Sequence, residues 1–228
     1  MTVSYEILLK GSSAMLDVGY IGLTNLTLIH TDTGPILVDV GHAVNWQGLE
    51  RALAERGMAP KDVSRIFLSH LHCDHVLNLH KFPETTEVFV SRAEYDYAAN
   101  PHPNDPFVPF MVREQVAKYR THFLEGSGEL APGVRYLPAP GHTPGCMALV
   151  LDTEGGKTVV AQDAIKFPKE VFAQRVNDAF DTPERATETI RHLLTLGDRI
   201  IPGHFVEMRR EGDSWTWDDA AQLNLLLR

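Results

Sequence analysis

Four side chains that can bind metal stand within six residues of this chain, at His70, His72, Asp74 and His75. They follow Arg65 to Leu68, a short apolar run that reads as a buried strand. The segment is therefore a loop or a helix start at a sheet edge, where a rigid scaffold can hold side chains in place. Imidazole and carboxylate suit zinc, iron or manganese. Four such groups are more than one tetrahedral ion takes from a single segment, which points to two ions sharing it. A fold that serves this cluster must end a strand here and bring further donors from elsewhere in the chain.

Three later positions qualify as those donors. His142 sits in Pro140-Gly141-His142-Thr143-Pro144-Gly145, Asp163 follows the run ending at Ala161, and His204 sits in Pro202-Gly203-His204. Each falls where an expected strand meets a turn. Taken singly, a histidine after Pro-Gly is more often a turn residue than a ligand. Their order along the chain (cluster, His, Asp, His) carries the weight.

The rest of the chain alternates strand and helix signals. Leu26 to His30 and Ile36 to Val40 flank the turn-like Thr31 to Pro35 and read as a hairpin. Trp46, Leu49 and Leu53 have helical spacing and stop at Gly57. Glu87 to Val90 reads as strand and Ser91 to Asn100 as helix. The proline-dense stretch Asn100 to Pro109 excludes a helix, and Phe110 to Thr121 reads as helical again. Val134 to Leu137, Met147 to Leu151 and Lys157 to Ala161 read as strands. Thr182-Pro183-Glu184 is a helix start, with Thr182 as N-cap. That helix runs to Leu196, and Arg199 to Ile201 is a last strand. The pattern predicts one α/β or α+β domain.

With this order of ligands, the chain resembles the metallo-β-lactamase superfamily, whose His-x-His-x-Asp-His signature stands at His70 to His75. The resemblance spans nearly the whole chain, including Leu37-Val38-Asp39-Val40-Gly41. It implies an αββα sandwich of two packed mixed sheets flanked by helices, over residues 1–228. An insert at about 95–123 would cover the active site. The resemblance further implies that His70, His72 and His142 hold one metal, that Asp74, His75 and His204 hold a second, and that Asp163 bridges them. Zinc comes first among the candidates, with manganese or iron also admitted. Asp39 would orient a ligand histidine from behind.

The chemistry implied is metal-assisted hydrolysis: a hydroxide held by two cations attacks a carbonyl or a phosphorus. Asp74 can orient it or carry a proton to the leaving group. Lys166, three residues past Asp163, is the informative departure. Lactone-hydrolysing relatives carry a tyrosine at that spacing. A lactamase branch carries a lysine there for the substrate carboxylate. Lys166 thus suggests substrate binding through an anion or a carbonyl oxygen. Cys73 and Cys146 are not needed as ligands and read as buried thiols. The aromatic segment from Tyr95 to Phe123 can form a pocket wall, and His30, His42, His80, His102, His122 and His192 are left as ordinary polar residues.

Composition narrows the class. The formal net charge of -9 argues against a nucleic-acid partner. No apolar run approaches the ~20 residues of a membrane span, and the start lacks the basic region of a signal peptide, so a cytoplasmic enzyme is expected. Two cysteines cannot build a disulfide framework. The 24 residues after His204 leave no room for the long helical extension of glutathione-thioester hydrolases. His72 stands where flavin-linked diiron reductases have glutamate. A lactone or small carboxylic ester remains the expected substrate. A phosphodiester or thioester, or a diiron redox or sensor role, is the alternative. Trp215, Trp217, Leu223 and Leu225 to Leu227 offer either a homodimer contact or local packing.

Overall fold

The computed structural model describes residues 2–17, 19–176 and 179–218. In chain order the first half comprises β1 (Ser4–Leu9), β2 (Ser12–Leu16), β3 (Gly19–Leu23), β4 (Leu26–His30), β5 (Ile36–Val38) and α1 (Trp46–Ala54). Then come β6 (Arg65–Phe67), α2 (Cys73–Val76), β7 (Glu87–Ser91), α3 (Arg92–Tyr97), α4 (Val112–Val116) and β8 (Arg120–Leu124). The second half comprises β9 (Gly128–Ala131), β10 (Val134–Pro138), β11 (Met147–Thr153), β12 (Gly156–Gln162), α5 (Pro168–Ala173) and α6 (Pro183–Leu196). It closes with β13 (Arg199–Pro202), β14 (Met208–Glu211) and β15 (Ser214–Thr216).

Two mixed sheets result, in the orders β1-β4-β5-β6-β7-β8 and β15-β14-β13-β12-β11-β10-β9. The strands from β5 to β8 run parallel, as do β12 and β13. A separate hairpin pairs β2 with β3. Residue alternation explains the layering. Ile36 and Val38 point into the cluster between the sheets, with Phe67, Leu149, Leu151, Val160 and Ile201. Leu37, between them, points to the outer cluster with Leu49 and Leu53 of α1. On the other side Val150, Val159 and Ile200 pack against Ile190, Leu193 and Leu194 of α6. Central strands buried on both faces read as continuous apolar runs, and the result is helix, sheet, sheet, helix.

Local signals set several boundaries. The Thr182 hydroxyl accepts the Arg185 N–H at 3.2 Å, capping α6. Its buried residues, Ala186, Thr189, Ile190, Leu193 and Leu194, recur at helical spacing. The helix expected over Phe110–Thr121 is reduced to α4, and Arg120–Leu124 is a strand instead. β8 pairs parallel with β7, Val88 opposite Thr121 and Val90 opposite Phe123. A two-residue alternation here overrides the helical one because Leu124 reaches the core between the sheets. The segment 95–123 therefore divides: its end is a sheet edge, and its Pro-rich part approaches the strand ends that carry the histidines. Trp215 packs locally, with the Arg210 guanidinium 4.4 Å from its ring. Trp217 lies beside Phe205, their rings 5.2 Å apart. Leu223 and Leu225 to Leu227 lie outside the described residues. Among the described residues no helix is long and apolar enough to cross a membrane.

Candidate metal centre

Every residue of the expected ligand set lies at or just past a strand end on one edge of the two sheets. His70 and His72 follow β6, and Asp74 and His75 ride the short α2. His142 lies in the turn between β10 and β11, Asp163 directly after β12, and His204 after β13. Asp39 follows β5 with a left-handed φ of 57°, and Gln162 closes β12 with φ 45°. Such backbone is costly away from glycine and is held only where the surroundings demand it. Here the demand is visible: Asp39 Oδ1 accepts the Ser69 N–H at 2.8 Å, and Oδ2 accepts the Gln162 amide at 2.7 Å.

The structure brings these donors together. The ligand atoms of His70, His72 and His142 lie within 4.8 Å of one another, and so do those of Asp74, His75 and His204. His70, His75 and Asp163 form a third such group. Asp163 stands between the two triads: its Oδ2 is 3.3 Å from both His142 Nε2 and His204 Nε2, and its Oδ1 is 3.3 Å from His75 Nε2. Asp74 Oδ2 lies 3.4 Å from His204 Nε2.

The residues fit divalent cations. His70 Nε2, His75 Nε2 and Asp163 Oδ1 are buried and make no hydrogen bond. Native proteins rarely leave such atoms unsatisfied, and an ion is one explanation. Charge tells the same story. Burial, helped by the neighbouring imidazoles, holds His70 well below the ordinary imidazole value. Burial and then Lys166 do the same to His142. For His75 burial works downward too, but Asp74, Asp39 and Asp163 outweigh it and raise the ring well above its ordinary value. His204 is raised in the same way, chiefly by Asp163. Burial pushes Asp163 upward, but His204 and His75 prevail and hold it well below the carboxylate range. The carboxylates thus favour positive charge on His75 and His204, and a cation bound among them would displace protons.

The outer nitrogens are also held. His75 Nδ1 lies 2.7 Å from Asp39 Oδ2, and His204 Nδ1 faces the carbonyls of Ser12 and Leu23 at 3.3 and 3.2 Å. His70 Nδ1 meets the Ser69 hydroxyl at 3.1 Å. Lys166 Nζ lies 3.5 Å from His142 Nδ1. That contact is a hydrogen bond only while Nδ1 carries no proton, and a cation on Nε2 moves the proton to Nδ1, leaving the ammonium free for another acceptor. A cavity of about 1000 Å³ opens over the site. Its wall includes Lys166, Tyr20, Phe107, Phe167 and Phe180. Burial, then the charges of Asp163 and Asp74, push the Tyr20 hydroxyl up to about 12, so it stays a donor. Burial raises both thiols, Cys146 strongly, and neither joins a donor group among the described residues.

Three carboxylates near the site carry no motif and are absent from the expected set. Glu94, fully buried at the start of α3, accepts the Leu71 N–H at 3.0 Å and the Thr143 hydroxyl at 2.7 Å, joining the two histidine loops. Its only sequence signal is a helix-start position after Ser91, whose hydroxyl accepts the Glu94 N–H. Glu170, in the first turn of α5, accepts the N–H groups of Lys166 and Phe167. Asp105, in the Pro-rich loop, lies 2.9 Å from His72 Nε2. Burial pushes its carboxyl upward, but His72, the Tyr97 hydroxyl and the Phe107 N–H together outweigh it and lower the pKa.

Known proteins share this arrangement of sequence and fold. The sequence profile of the Metallo-beta-lactamase superfamily matches residues 19–222. The chain is 31% identical over 210 residues to an N-acyl homoserine lactonase of Bacillus sp, covering 80% of this chain and 81% of that one. It is 33% identical over 207 residues to Metallo-beta-lactamase domain-containing protein 1 of Xenopus laevis, covering 88% and 79%. Its structure is similar to that of a quorum-quenching N-acyl homoserine lactone lactonase, with TM-score 0.68 and 25% identity over 86% and 88% of the two chains.

Proposed function

The chain belongs to the metallo-beta-lactamase superfamily, and from that premise we infer that it is a metal-dependent hydrolase that opens lactones or cleaves small carboxylic esters. One observation carries the reading: seven buried donors converge as two triads with Asp163 between them, and five of them, His72, Asp74, His142, Asp163 and His204, line one cavity. The likeness to N-acyl homoserine lactonases favours a lactone over a phosphodiester or a thioester.

In this proposal His70, His72 and His142 would hold one cation, Asp74, His75 and His204 would hold a second, and Asp163 would serve both. Zinc is the first assignment, and manganese or iron suit the same nitrogen and oxygen donors. Once bound, the cations supply Lewis acidity, which acidifies a water near neutral pH and polarises the substrate oxygen. The remaining work falls to the chain itself. Asp74 lines the cavity. It orients the attacking water, takes its proton and hands it to the departing alkoxide. Asp39 holds His75 from behind, fixing which nitrogen faces inward. Phe107 and Phe180, with rings 6.0 Å apart, offer an apolar surface for the substrate's non-reacting part.

Lys166 takes an anionic oxygen of the substrate. A hydrogen bond to a charged group contributes about 1.5–3 kcal/mol, and each ~1.4 kcal/mol is tenfold in affinity. Lys166→Ala should therefore raise KM at least about tenfold for lactones bearing a carboxylate and leave neutral ones within about twofold. Equal effects on both would remove Lys166 from the recognition of an anion.

A proton-release assay of the zinc- or manganese-loaded protein tests the function itself. Lactones, including N-acyl homoserine lactones, and small esters are run beside a phosphodiester and a thioester. Ring opening with metal-dependent turnover is expected. Cleavage of only the phosphodiester or the thioester would overturn the substrate class.

A further inference from the structure

Each donor triad has one imidazole backed by a buried carboxylate. In the triad with Asp74 and His204, that imidazole is His75 and its carboxylate is Asp39, at 2.7 Å. In the other triad it is His72, whose Nε2 lies 2.9 Å from Asp105 Oδ2, with both side chains almost wholly buried. Asp105 comes from the proline-dense loop after α3, a different part of the chain from Asp39. We propose that Asp105 is a positioning residue for the cation site formed by His70, His72 and His142, and that the Pro-rich loop exists in its present shape to deliver it.

The geometry of the loop supports this. Asp105 Oδ2 also accepts the Tyr97 hydroxyl at 2.7 Å, and Oδ1 accepts the Phe107 N–H at 3.0 Å. The Tyr97 oxygen in turn accepts the His102 N–H at 3.2 Å, and the Asp105 N–H is donated to the His102 carbonyl at 2.8 Å. The Phe107 carbonyl accepts the Cys73 N–H at 2.9 Å, tying the loop to the segment between two ligands. These donors leave Asp105 committed as an acceptor, so His72 Nε2 is its proton donor. A neutral imidazole has one proton. With it on Nε2, the lone pair of His72 is on Nδ1, which lies 3.1 Å from His142 Nε2 inside the triad. A cation requires that tautomer, and an acceptor on the outer nitrogen also strengthens the inner one as a ligand. Among the described residues the outer nitrogens of His70, His142 and His204 meet a hydroxyl, an ammonium and two carbonyls instead of a carboxylate. His72 and His75 are thus the two rings singled out, one per triad.

The inference rests on the proposed metal centre, and one titration separates the two. Metal-free protein is titrated with Co²⁺ against a chromophoric chelator, and the visible cobalt band is followed. Two binding steps are expected for the unaltered chain. Asp105→Asn should weaken one of them about 10- to 100-fold and leave the other within about twofold. Asp39→Asn should weaken chiefly the opposite step, since Asp39 meets His75 directly and reaches His70 only through the Ser69 hydroxyl. Tyr97→Phe removes a donor to Asp105 without touching His72. It should weaken the same step as Asp105→Asn, by a smaller factor, and shift the same cobalt band. The unfolding midpoint of the metal-free Asp105→Asn protein establishes that the variant is folded, and Tyr97→Phe, which leaves Asp105 and His72 in place, carries the test if it is not. Unchanged affinity at both steps, an equal loss at both, or loss of the step that Asp39→Asn affects would overturn the assignment to Asp105. Absence of cobalt binding in the unaltered chain would overturn the metal centre as well.

Discussion

Asp163→Ala is expected to abolish measurable lactone turnover, with a loss of about a thousandfold or more. The side chain reaches both triads, its oxygens 3.3 Å from His142, His204 and His75. Removing it deprives each cation site of a charged donor at once. Lewis-acid stabilisation of the transition state amounts to several kcal/mol, and each ~1.4 kcal/mol is tenfold in rate. The check is steady-state turnover of one lactone by parent and variant at equal metal content, measured by elemental analysis. Retention of a tenth of the activity would remove Asp163 from its place between the cations. Gly203→Ala offers an independent approach to the same atom. A Cβ there would lie 2.0 Å from Asp163 Oδ1. The carboxylate must move to admit it, and turnover falls in the same direction although no ligand has changed.

Glu94→Ala is the largest expected loss of stability. The carboxylate is fully buried and joins the loop of His70 and His72 to that of His142 through Leu71 and Thr143. A buried donor left without its acceptor costs about 1–3 kcal/mol. Two are stranded here, and the Gly145 N–H also faces the carboxylate, so the total comes to about 3–5 kcal/mol. The variant has no simple repair, because at Gly145 even a Cβ would lie 2.0 Å from the Glu94 backbone nitrogen. Urea unfolding of the metal-free protein measures the loss directly.

Glu94→Gln keeps an acceptor and costs far less, but changes the pH dependence. Burial raises the Glu94 pKa above the ordinary carboxylate value. Between the two values the unfolded chain has released this proton while the native protein still holds it. Stability therefore falls as pH rises through that window. The glutamine variant lacks this component, so its stability relative to the parent improves from about pH 4 upward. An unchanged difference across that range would mean that Glu94 titrates as an exposed carboxylate does.

Much of the site was legible because its signals are local. An apolar strand followed at once by His70, His72, Asp74 and His75 states both the ligand types and their place at a strand end. Pro-Gly before His142 and His204 marks the same kind of place. The helix of Pro183–Leu196 and the central strands were legible for the same reason, since capping and apolar alternation act within a few residues. The helix expected over Phe110–Thr121 was not, because Arg120–Leu124 is shaped by pairing with Glu87–Ser91. The short strands Gly128–Ala131, Met208–Glu211 and Ser214–Thr216 lie at or next to a sheet edge and carry too little apolar patterning to announce themselves.

Residue chemistry and order along the chain thus determined which donors exist, that they sit at strand ends, and that their number suits two cations. Only the tertiary structure decided what stands behind them. Asp105 meets His72 across 33 residues of sequence, and Glu94 meets Leu71 across 23. A single carboxylate in a loop or at a helix start has no periodicity or neighbour pattern to mark it. Its partner is chosen when the layers pack and a buried oxygen must find a donor or leave one stranded. The same packing turned the Lys166 ammonium toward His142 and placed Phe107 over the site, two outcomes that no spacing in the chain contains.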